Sequence, residues 1–339
     1  MKEQPFENLV RTLRSKRAPF TVVFELTRRC NLRCVHCYLP ETEETKEKEL
    51  GTAEVKSILD DLRKAGCMKL TLTGGEPTLR RDFLEIFSYC HRRGFAVTLF
   101  TNGTLLTGRV KKAILRERPY RVEWSLYGTS PEVHEGVTGV RGSFDLAVKN
   151  MTELIRQGIP VVMKSVLLRS NHQELGALAE LSRRWNIPFQ PTFRVFGSLD
   201  PNRPTDPLRV RTKDLRALLK REDFKGLRRP EDPPLFEEWP CNAGREACCI
   251  SAEGKVYPCI ALRRECGDLR REPFEAIWRQ SPVLGEIRCH ELKDYKQCFR
   301  CPWREICRFC PGMGFFEHGD MLKPSREICR LTRAAAGKG

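Results

Sequence analysis

The sequence CNLRCVHC at residues 30–37 carries three cysteines, Cys30, Cys34 and Cys37, separated by three and then two residues. It directly follows FTVVFEL at residues 20–26, an apolar run that predicts a buried strand. A structural zinc ion takes four ligands, whereas an iron–sulfur cluster takes a thiolate on each iron. Three cysteines therefore leave one iron of a four-iron cluster open. The stretch predicts a metal centre with an open coordination position.

His36 also allows a zinc interpretation, in which its imidazole is the fourth ligand beside the three thiolates. That arrangement requires the adjacent residues His36 and Cys37 to bind one small ion, and the spacing differs from the usual zinc patterns. We therefore favour an iron–sulfur cluster over zinc at this loop.

The composition predicts a cytoplasmic protein. The chain has 339 residues and contains no run of about eighteen apolar residues, and residues 1–20 lack the apolar segment of a secretory signal. We therefore expect no membrane association. Most of the sixteen cysteines fall in short ligand-like groups, so reduced, metal-bound thiolates explain them better than disulfides.

The chain is basic, with a formal net charge of +16. Its arginine pairs are spread along the sequence and are not concentrated in one arm, which is typical of solvated surfaces. We do not expect nucleic acid as a partner, although an acidic peptide or nucleic acid is the alternative that such a charge allows.

Apolar segments alternate with helical patterns in the first two hundred residues, which predicts βα units and a parallel sheet. The predicted strands are residues 20–26, 70–73, 95–100, 122–126, 161–168 and 189–196. Six such units favour an α/β fold with a partial (βα)6 TIM-like barrel over an open sheet. In parallel barrels, the chemistry collects at the carboxyl ends of the strands.

We divide the chain into four parts: an N-terminal arm (1–19), the barrel (20–200), a proline-rich bridge with one helix (201–240) and a small, irregular, cysteine-rich iron–sulfur domain (241–339). Long apolar periodic segments are missing from the last part. Such a segment would struggle to fold on its core alone, so metal centres are expected to stabilise it.

A second motif, Gly74-Gly75-Glu76-Pro77, follows the second predicted strand. Its glycines would allow a ligand to approach the backbone closely, and Glu76 supplies a carboxylate. An ordinary strand-to-helix turn would explain the motif if it stood alone, but it lies one βα unit after the cysteine loop.

Together, these two motifs resemble the signature of the radical S-adenosylmethionine (SAM) enzymes. The resemblance implies a 4Fe-4S cluster on the three loop cysteines, whose open iron binds SAM. It also implies reductive cleavage of SAM to a 5'-deoxyadenosyl radical that abstracts hydrogen from a substrate. An electron donor such as flavodoxin or ferredoxin would supply the electron. The implied SAM contacts are Gly74, Gly75 and Glu76 at the amino group and the backbone of His36 at adenine.

The segment Ser125-Leu126-Tyr127-Gly128 is similar to a Ser-Leu-Asp-Gly segment of several members of this family. The similarity implies that Ser125 lies near the ribose of SAM. Tyr127 replaces the aspartate and is a candidate to face substrate. Lys164, on the fifth predicted strand, is a further ribose candidate.

The C-terminal cysteines resemble the SPASM extension of peptide-modifying radical SAM enzymes, which carries two auxiliary 4Fe-4S clusters. The pattern is C-x12-G-x4-C from Cys241 to Cys259, followed by four cysteines spaced x2, x5 and x2 and by a last one. The family has x3 where this chain has x2 before Cys310. A zinc ribbon is the alternative for the two Cys-x2-Cys pairs, although only five residues separate them.

The resemblance implies two ligand sets. The outer set is Cys298, Cys301, Cys307 and Cys329, and the inner set is Cys241, Cys259 and Cys310. The fourth position of the inner cluster is left open by the pattern, with Cys248, Cys249 or a vacant site as alternatives.

The resemblance implies an oxidoreductase that crosslinks or oxidises a ribosomally made peptide, with a separate leader-binding protein as a candidate partner. Haem-pathway enzymes that act on porphyrin side chains and anaerobic sulfatase-maturing enzymes share parts of the pattern and remain alternatives. A cysteine-rich zinc protein that binds nucleic acid is the alternative outside enzymes.

Overall fold

A single mixed sheet carries the cysteine loop at the carboxyl end of its first strand. The computed structural model describes residues 17–39, 49–221 and 241–337. Most of the predicted N-terminal arm and the second half of the predicted bridge lie outside these residues. The strands are β1 (Thr21–Thr27), β2 (Lys69–Gly74), β3 (Ala96–Thr101), β4 (Arg121–Ser125), β5 (Val161–Val166), β6 (Phe189–Thr192), β7 (Ala247–Ile250), β8 (Lys255–Tyr257) and β9 (Gly267–Asp268).

Helices follow most of the barrel strands. In the barrel they are α1 (Thr52–Lys64), α2 (Phe83–Arg92), α3 (Gly108–Glu117), α4 (Pro131–Thr138), α5 (Ser143–Arg156) and α6 (Leu175–Arg184). After it come α7 (Thr212–Leu219), α8 (Phe274–Gln280), α9 (Pro282–Cys289), α10 (Lys296–Phe299), α11 (Pro311–His318) and α12 (Arg326–Ala335). None of the helices in the described residues is long and apolar enough to cross a membrane.

The sheet order is β6-β5-β4-β3-β2-β1-β7-β8-β9, and every pair from β6 to β7 is parallel. The six predicted strands are all present, and the predicted α/β partial barrel is confirmed. Since parallel strands end at one edge, they bring the cysteine loop and the turns after β2, β3 and β4 together.

The side chains of β1 alternate between the packed face of the sheet and its inner face. Val22, Phe24 and Leu26 are fully buried in the core shared with the surrounding helices. Successive side chains of a strand point to opposite faces, so Glu25 and Thr27 face inward. The same alternation along β2 and β4 turns Thr73 and Glu123 to the interior of the barrel.

The barrel sheet continues past residue 240, which the sequence did not predict. β7 pairs parallel with β1 and joins β8 and β9 through antiparallel pairs. Residues 247–268, assigned to the C-terminal domain, therefore also belong to the barrel sheet. The helix predicted in the bridge is α7, which buries Leu215 and Leu218 and packs against α12.

Candidate radical and iron–sulfur sites

The cysteine loop is tied to two neighbouring elements through its backbone. Arg33 donates its N–H to the Thr138 carbonyl at 2.8 Å, and Val35 donates to the Val137 carbonyl at 3.0 Å, both at the end of α4. On the other side, the Arg29 carbonyl accepts from the N–H of Glu76 at 2.8 Å. The loop conformation is thus set by the barrel.

The three loop thiols lie close enough to affect one another. Burial raises the pKa of Cys30 to about 11, and the nearby Glu76 and Cys37 add to the rise. Burial is the main cause of the raised pKa of Cys34, and the charges of Cys37 and Cys30 raise it further. These thiolates would therefore form only when a cationic metal centre replaces their protons.

The two glycines of the second motif let the turn after β2 pack directly on the cysteine loop. Gly74 has a φ of +135°, and a Cβ there would lie 2.2 Å from the Thr27 carbonyl oxygen. A Cβ on Gly75 would lie 2.3 Å from the Arg29 carbonyl oxygen. The glycines thus let the backbone of the loop approach this turn closely, and their predicted contact with SAM stays a prediction.

Glu76 is fully buried, and both of its carboxylate oxygens accept hydrogen bonds. The Thr101 hydroxyl donates at 2.8 and 3.0 Å, the Asn102 N–H at 2.8 Å and the Thr78 hydroxyl at 2.6 Å. Burial raises its pKa, and these hydrogen bonds oppose the rise. Glu76 thus joins the turn after β2 to the end of β3; its predicted contact with the SAM amino group stays a prediction.

Asn102 was not assigned a role from the sequence, although it directly follows the third strand. Its Nδ2 donates to Asn31 Oδ1 at 3.0 Å and lies 3.9 Å from the Cys30 sulfur. Asn31 in turn donates to the Thr104 hydroxyl at 2.8 Å. This network links the loop to the end of β3.

Tyr127 lies against the cysteine loop. Its side chain is 7% exposed and packs with Cys34, and its ring centroid is 5.0 Å from that of His36. Burial raises the pKa of the phenol, as does Cys34, whereas a hydrogen bond with the Ser125 side chain opposes the rise. Ser125, the predicted ribose contact, is therefore a neighbour of Tyr127, and Tyr127 borders the loop cysteines.

Two histidines flank this tyrosine. Burial lowers the pKa of His36 and of His134 to about 4, so both imidazoles are neutral near pH 7. His134 is 1% exposed, and its Nδ1 accepts the Tyr127 N–H at 3.2 Å. The predicted adenine contact of the His36 backbone stays a prediction.

Lys164 lies beside Ser125 in the register of β4 and β5. Its ammonium is 2.6 Å from a carboxylate oxygen of the buried Glu123 and 4.5 Å from the ring centroid of Phe100. The side chain thus pairs with an acid inside the barrel, and its predicted ribose contact is not tested.

The inner C-terminal set brings Cys241, Cys259 and Cys310 together. The pKa of Cys259 is raised to about 12, mainly by burial and then by the charges of Cys241 and Cys310. The backbone N–H groups of Ala243 and Leu262 lie 3.4 and 3.3 Å from the sulfurs of Cys241 and Cys259. Such N–H donors stabilise thiolate ligands.

Cys248 and Cys249 are the two candidates for the fourth inner position. As successive residues of β7, they point to opposite faces of the sheet. Cys248 is buried in the main hydrophobic core. Cys249 is also fully buried but has Glu25, Arg263 and Cys259 among its charged neighbours. Of the two, only Cys249 faces the side on which the inner set lies.

The outer set surrounds one cavity of about 150 Å³, which is lined by Cys298, Cys301, Cys307 and Cys329. The pKa of Cys298 is raised to about 12, mainly by burial and then by the charges of Cys329, Cys307 and Cys301. All four predicted outer ligands therefore face the same space.

Within residues 17–39, 49–221 and 241–337, no three His, Cys, Asp or Glu side chains are placed to hold one metal ion. A four-iron cluster takes one thiolate on each iron, so its ligands stand further apart than those of a single ion. The resemblance implies that bound clusters and SAM would supply radical chemistry here, while the protein would hold the thiolates and exclude water.

A cavity of about 180 Å³ is lined by residues that neighbour the cysteine loop and the inner set in sequence. Tyr38 directly follows Cys37, and Ile260 directly follows Cys259, so the lining begins next to both cysteine groups. The lining is mostly apolar and includes Tyr38, Phe196, Leu199, Ile260, Met313 and Phe316.

A buried ion pair joins the barrel to the C-terminal region beside this cavity. The guanidinium of Arg263, which lines the cavity, pairs with Glu25, and the Tyr38 hydroxyl donates to the same carboxylate at 2.6 Å. Since Glu25 is 1% exposed, the pair is withdrawn from water. The charge of Arg263 is thus neutralised within the protein.

Comparison with known proteins agrees with this geometry. Residues 24–182 match the model of the radical SAM superfamily, and residues 241–302 match that of the SPASM iron–sulfur cluster-binding domain. The mycofactocin maturase MftC of Mycolicibacterium smegmatis is 30% identical over 92% of this chain and 83% of its own. The AdoMet-dependent heme synthase of Methanosarcina barkeri is 28% identical over 90% of this chain and 95% of its own.

Two solved structures share the fold. Streptococcus suis SuiB bound to S-adenosylmethionine superimposes with a TM-score of 0.69 at 18% identity, covering 96% of this chain and 81% of its own. Native anSMEcpe with bound AdoMet and Cp18Cys peptide superimposes with a TM-score of 0.68 at 17% identity, covering 94% of this chain and 96% of its own. The chain belongs to the radical SAM superfamily and carries a C-terminal SPASM domain. It is thus an enzyme of radical chemistry that uses SAM and 4Fe-4S clusters.

Proposed function

We propose that this radical SAM enzyme modifies a ribosomally made peptide by crosslinking or oxidising a side chain. The observation that carries the proposal is the mostly apolar cavity of about 180 Å³ whose lining includes Tyr38, next to Cys37, and Ile260, next to Cys259. Pockets for whole drug-sized ligands measure about 300–1,000 Å³. The cavity therefore suits one apolar or aromatic side chain of a peptide better than a whole tetrapyrrole.

Relatives support the same substrate class. MftC is named a mycofactocin maturase, and SuiB has been solved with its precursor peptide SuiA. The haem-pathway alternative is favoured by the heme synthase of Methanosarcina barkeri, which this chain matches over 95% of its length. Both substrate classes are therefore included in the experiment.

The proposal includes two partners: a small leader-binding protein that delivers the peptide, and flavodoxin or ferredoxin as the electron donor. It also keeps the cytoplasmic location predicted from the sequence, because the cluster thiolates must stay reduced.

The test is anaerobic incubation of the reconstituted enzyme with SAM, a reductant and either a short peptide encoded next to its gene, a sulfatase-type peptide or a porphyrin. Mass spectrometry should detect the loss of hydrogen from the peptide encoded nearby. Conversion of the porphyrin alone would favour the haem pathway and contradict the proposal.

A pair of variants tests the role of the cavity. Leu199 lines it and is partly exposed, so Leu199→Trp should fill the space without disturbing the core. Peptide product should fall by roughly tenfold or more, while substrate-free SAM cleavage stays within about twofold. Leu146→Trp, at a similarly exposed leucine on α5, is the matched control and should change neither.

A further inference from the structure

The segment that follows β6 reaches both the cysteine loop and the C-terminal region. Near its start, the Arg194 guanidinium donates to the Arg308 carbonyl at 3.1 Å. Further along, Leu199 donates its N–H to the Tyr38 carbonyl at 2.8 Å, and Arg203 Nη2 donates to the Cys34 carbonyl at 3.2 Å. Two arginines of one segment therefore bind backbone carbonyls of two different cysteine groups.

Arg194 binds at the point where the two auxiliary ligand sets meet. Arg308 lies between Cys307 of the outer set and Cys310 of the inner set. A guanidinium held on the Arg308 carbonyl is thus close to a ligand of each set. A charged donor on a carbonyl also makes a stronger hydrogen bond than a neutral one.

The hydrogen bond places a positive charge at this junction. Arg308 directly follows Cys307 and stands two residues before Cys310, so the guanidinium held on its carbonyl can stabilise negative charge on a ligand of either set.

We propose that Arg194 positions the Cys307–Cys310 segment on the barrel and, through its charge, favours the reduced state of both auxiliary clusters. The inference rests on the two ligand sets proposed above and not on the identity of the substrate. A reduced cluster carries one more negative charge than the oxidised one, so a nearby cation raises its reduction potential. Arg194 acts through the clusters and is a positioning residue.

The experiment is a redox titration followed by electron paramagnetic resonance, without substrate, on full-length reconstituted enzyme. In Arg194→Gln, the reduced-to-oxidised ratio of the auxiliary clusters should fall by roughly tenfold, about 59 mV for a one-electron couple. Arg194→Lys, which keeps the charge, should lie closer to the wild type. The potential of the loop cluster should not change in either variant.

Arg203→Gln is the matched control, because Arg203 binds the Cys34 carbonyl and should leave the auxiliary potentials unchanged. Wild-type auxiliary potentials in fully loaded Arg194→Gln would overturn the proposal. If Arg194→Gln loads less iron, rescue of loading by lysine supports the role of the charge. Failure of lysine to rescue loading overturns it. Because no peptide is present, failure of the proposed function cannot produce any of these results.

Discussion

The cysteine loop of the barrel and the cysteine-rich C-terminal region hold their thiols by different means. The loop follows a seven-residue strand, is hydrogen-bonded to the end of α4 and packs on two glycines of the next turn. The C-terminal cysteines lie on turns and short helices, such as the four-residue α10. A small separate core cluster there is centred on Leu262, Ile287 and Met321.

This difference suggests which part depends on metal. The barrel has a large apolar core and would place Cys30, Cys34 and Cys37 in the absence of a cluster. The C-terminal region has little apolar core of its own, so its ligands and their metal contribute much of the folding free energy. We therefore expect loop variants to remove chemistry and C-terminal variants to remove metal and order.

The largest effect is expected for Cys34→Ala. The loop then lacks one of its three thiolates, so formation of 5'-deoxyadenosine after anaerobic reconstitution should be abolished. Chromatography of the products of SAM with reductant measures it. Cys289→Ala changes an exposed cysteine outside all three sets and should keep activity. Undiminished cleavage in Cys34→Ala would refute the assignment of the loop.

A smaller effect on SAM cleavage is expected for Cys307→Ala. The barrel still places the loop, so SAM cleavage should fall by no more than roughly tenfold, while peptide product disappears. Cleavage and product are measured in the same reaction. Full product formation by this variant would show that the outer set has no role in the reaction.

Gly75→Ala should have the smallest effect, on stability and SAM affinity. Its Cβ would lie 2.3 Å from the Arg29 carbonyl oxygen, and backbone cannot move aside easily. The thermal midpoint should fall by roughly 5 °C. Gly108→Ala is the control, since a Cβ there meets open space at the start of α3. Equal midpoints for the two variants would contradict the packing described for the turn.

The sequence predicted most of the barrel because its strands are long apolar runs separated by helical patterns. It missed β7, because the segment Ala247–Ile250 has only four residues, two of them cysteines that resemble ligands. The parallel partner of β7 is β1, more than two hundred residues earlier. Pairing over such a separation leaves no local pattern to detect.

The sequence proposes site residues where they follow a spacing, but not where they depend on tertiary contacts. The cysteines and Glu76 belong to motifs. Asn102, Arg194 and Arg263 do not, since each gains its role from a residue distant in sequence. The motif also proposed Glu76 but not the donors from Thr101 and Asn102, which lie at the end of the next strand.

The central claim is that one loop and two C-terminal sets each hold a four-iron cluster. Measurement of iron, zinc and acid-labile sulfide in the anaerobically reconstituted protein tests it most directly. We predict roughly twelve irons per chain with matching sulfide. Zinc without sulfide would contradict the account, and about four irons would contradict the two auxiliary sets.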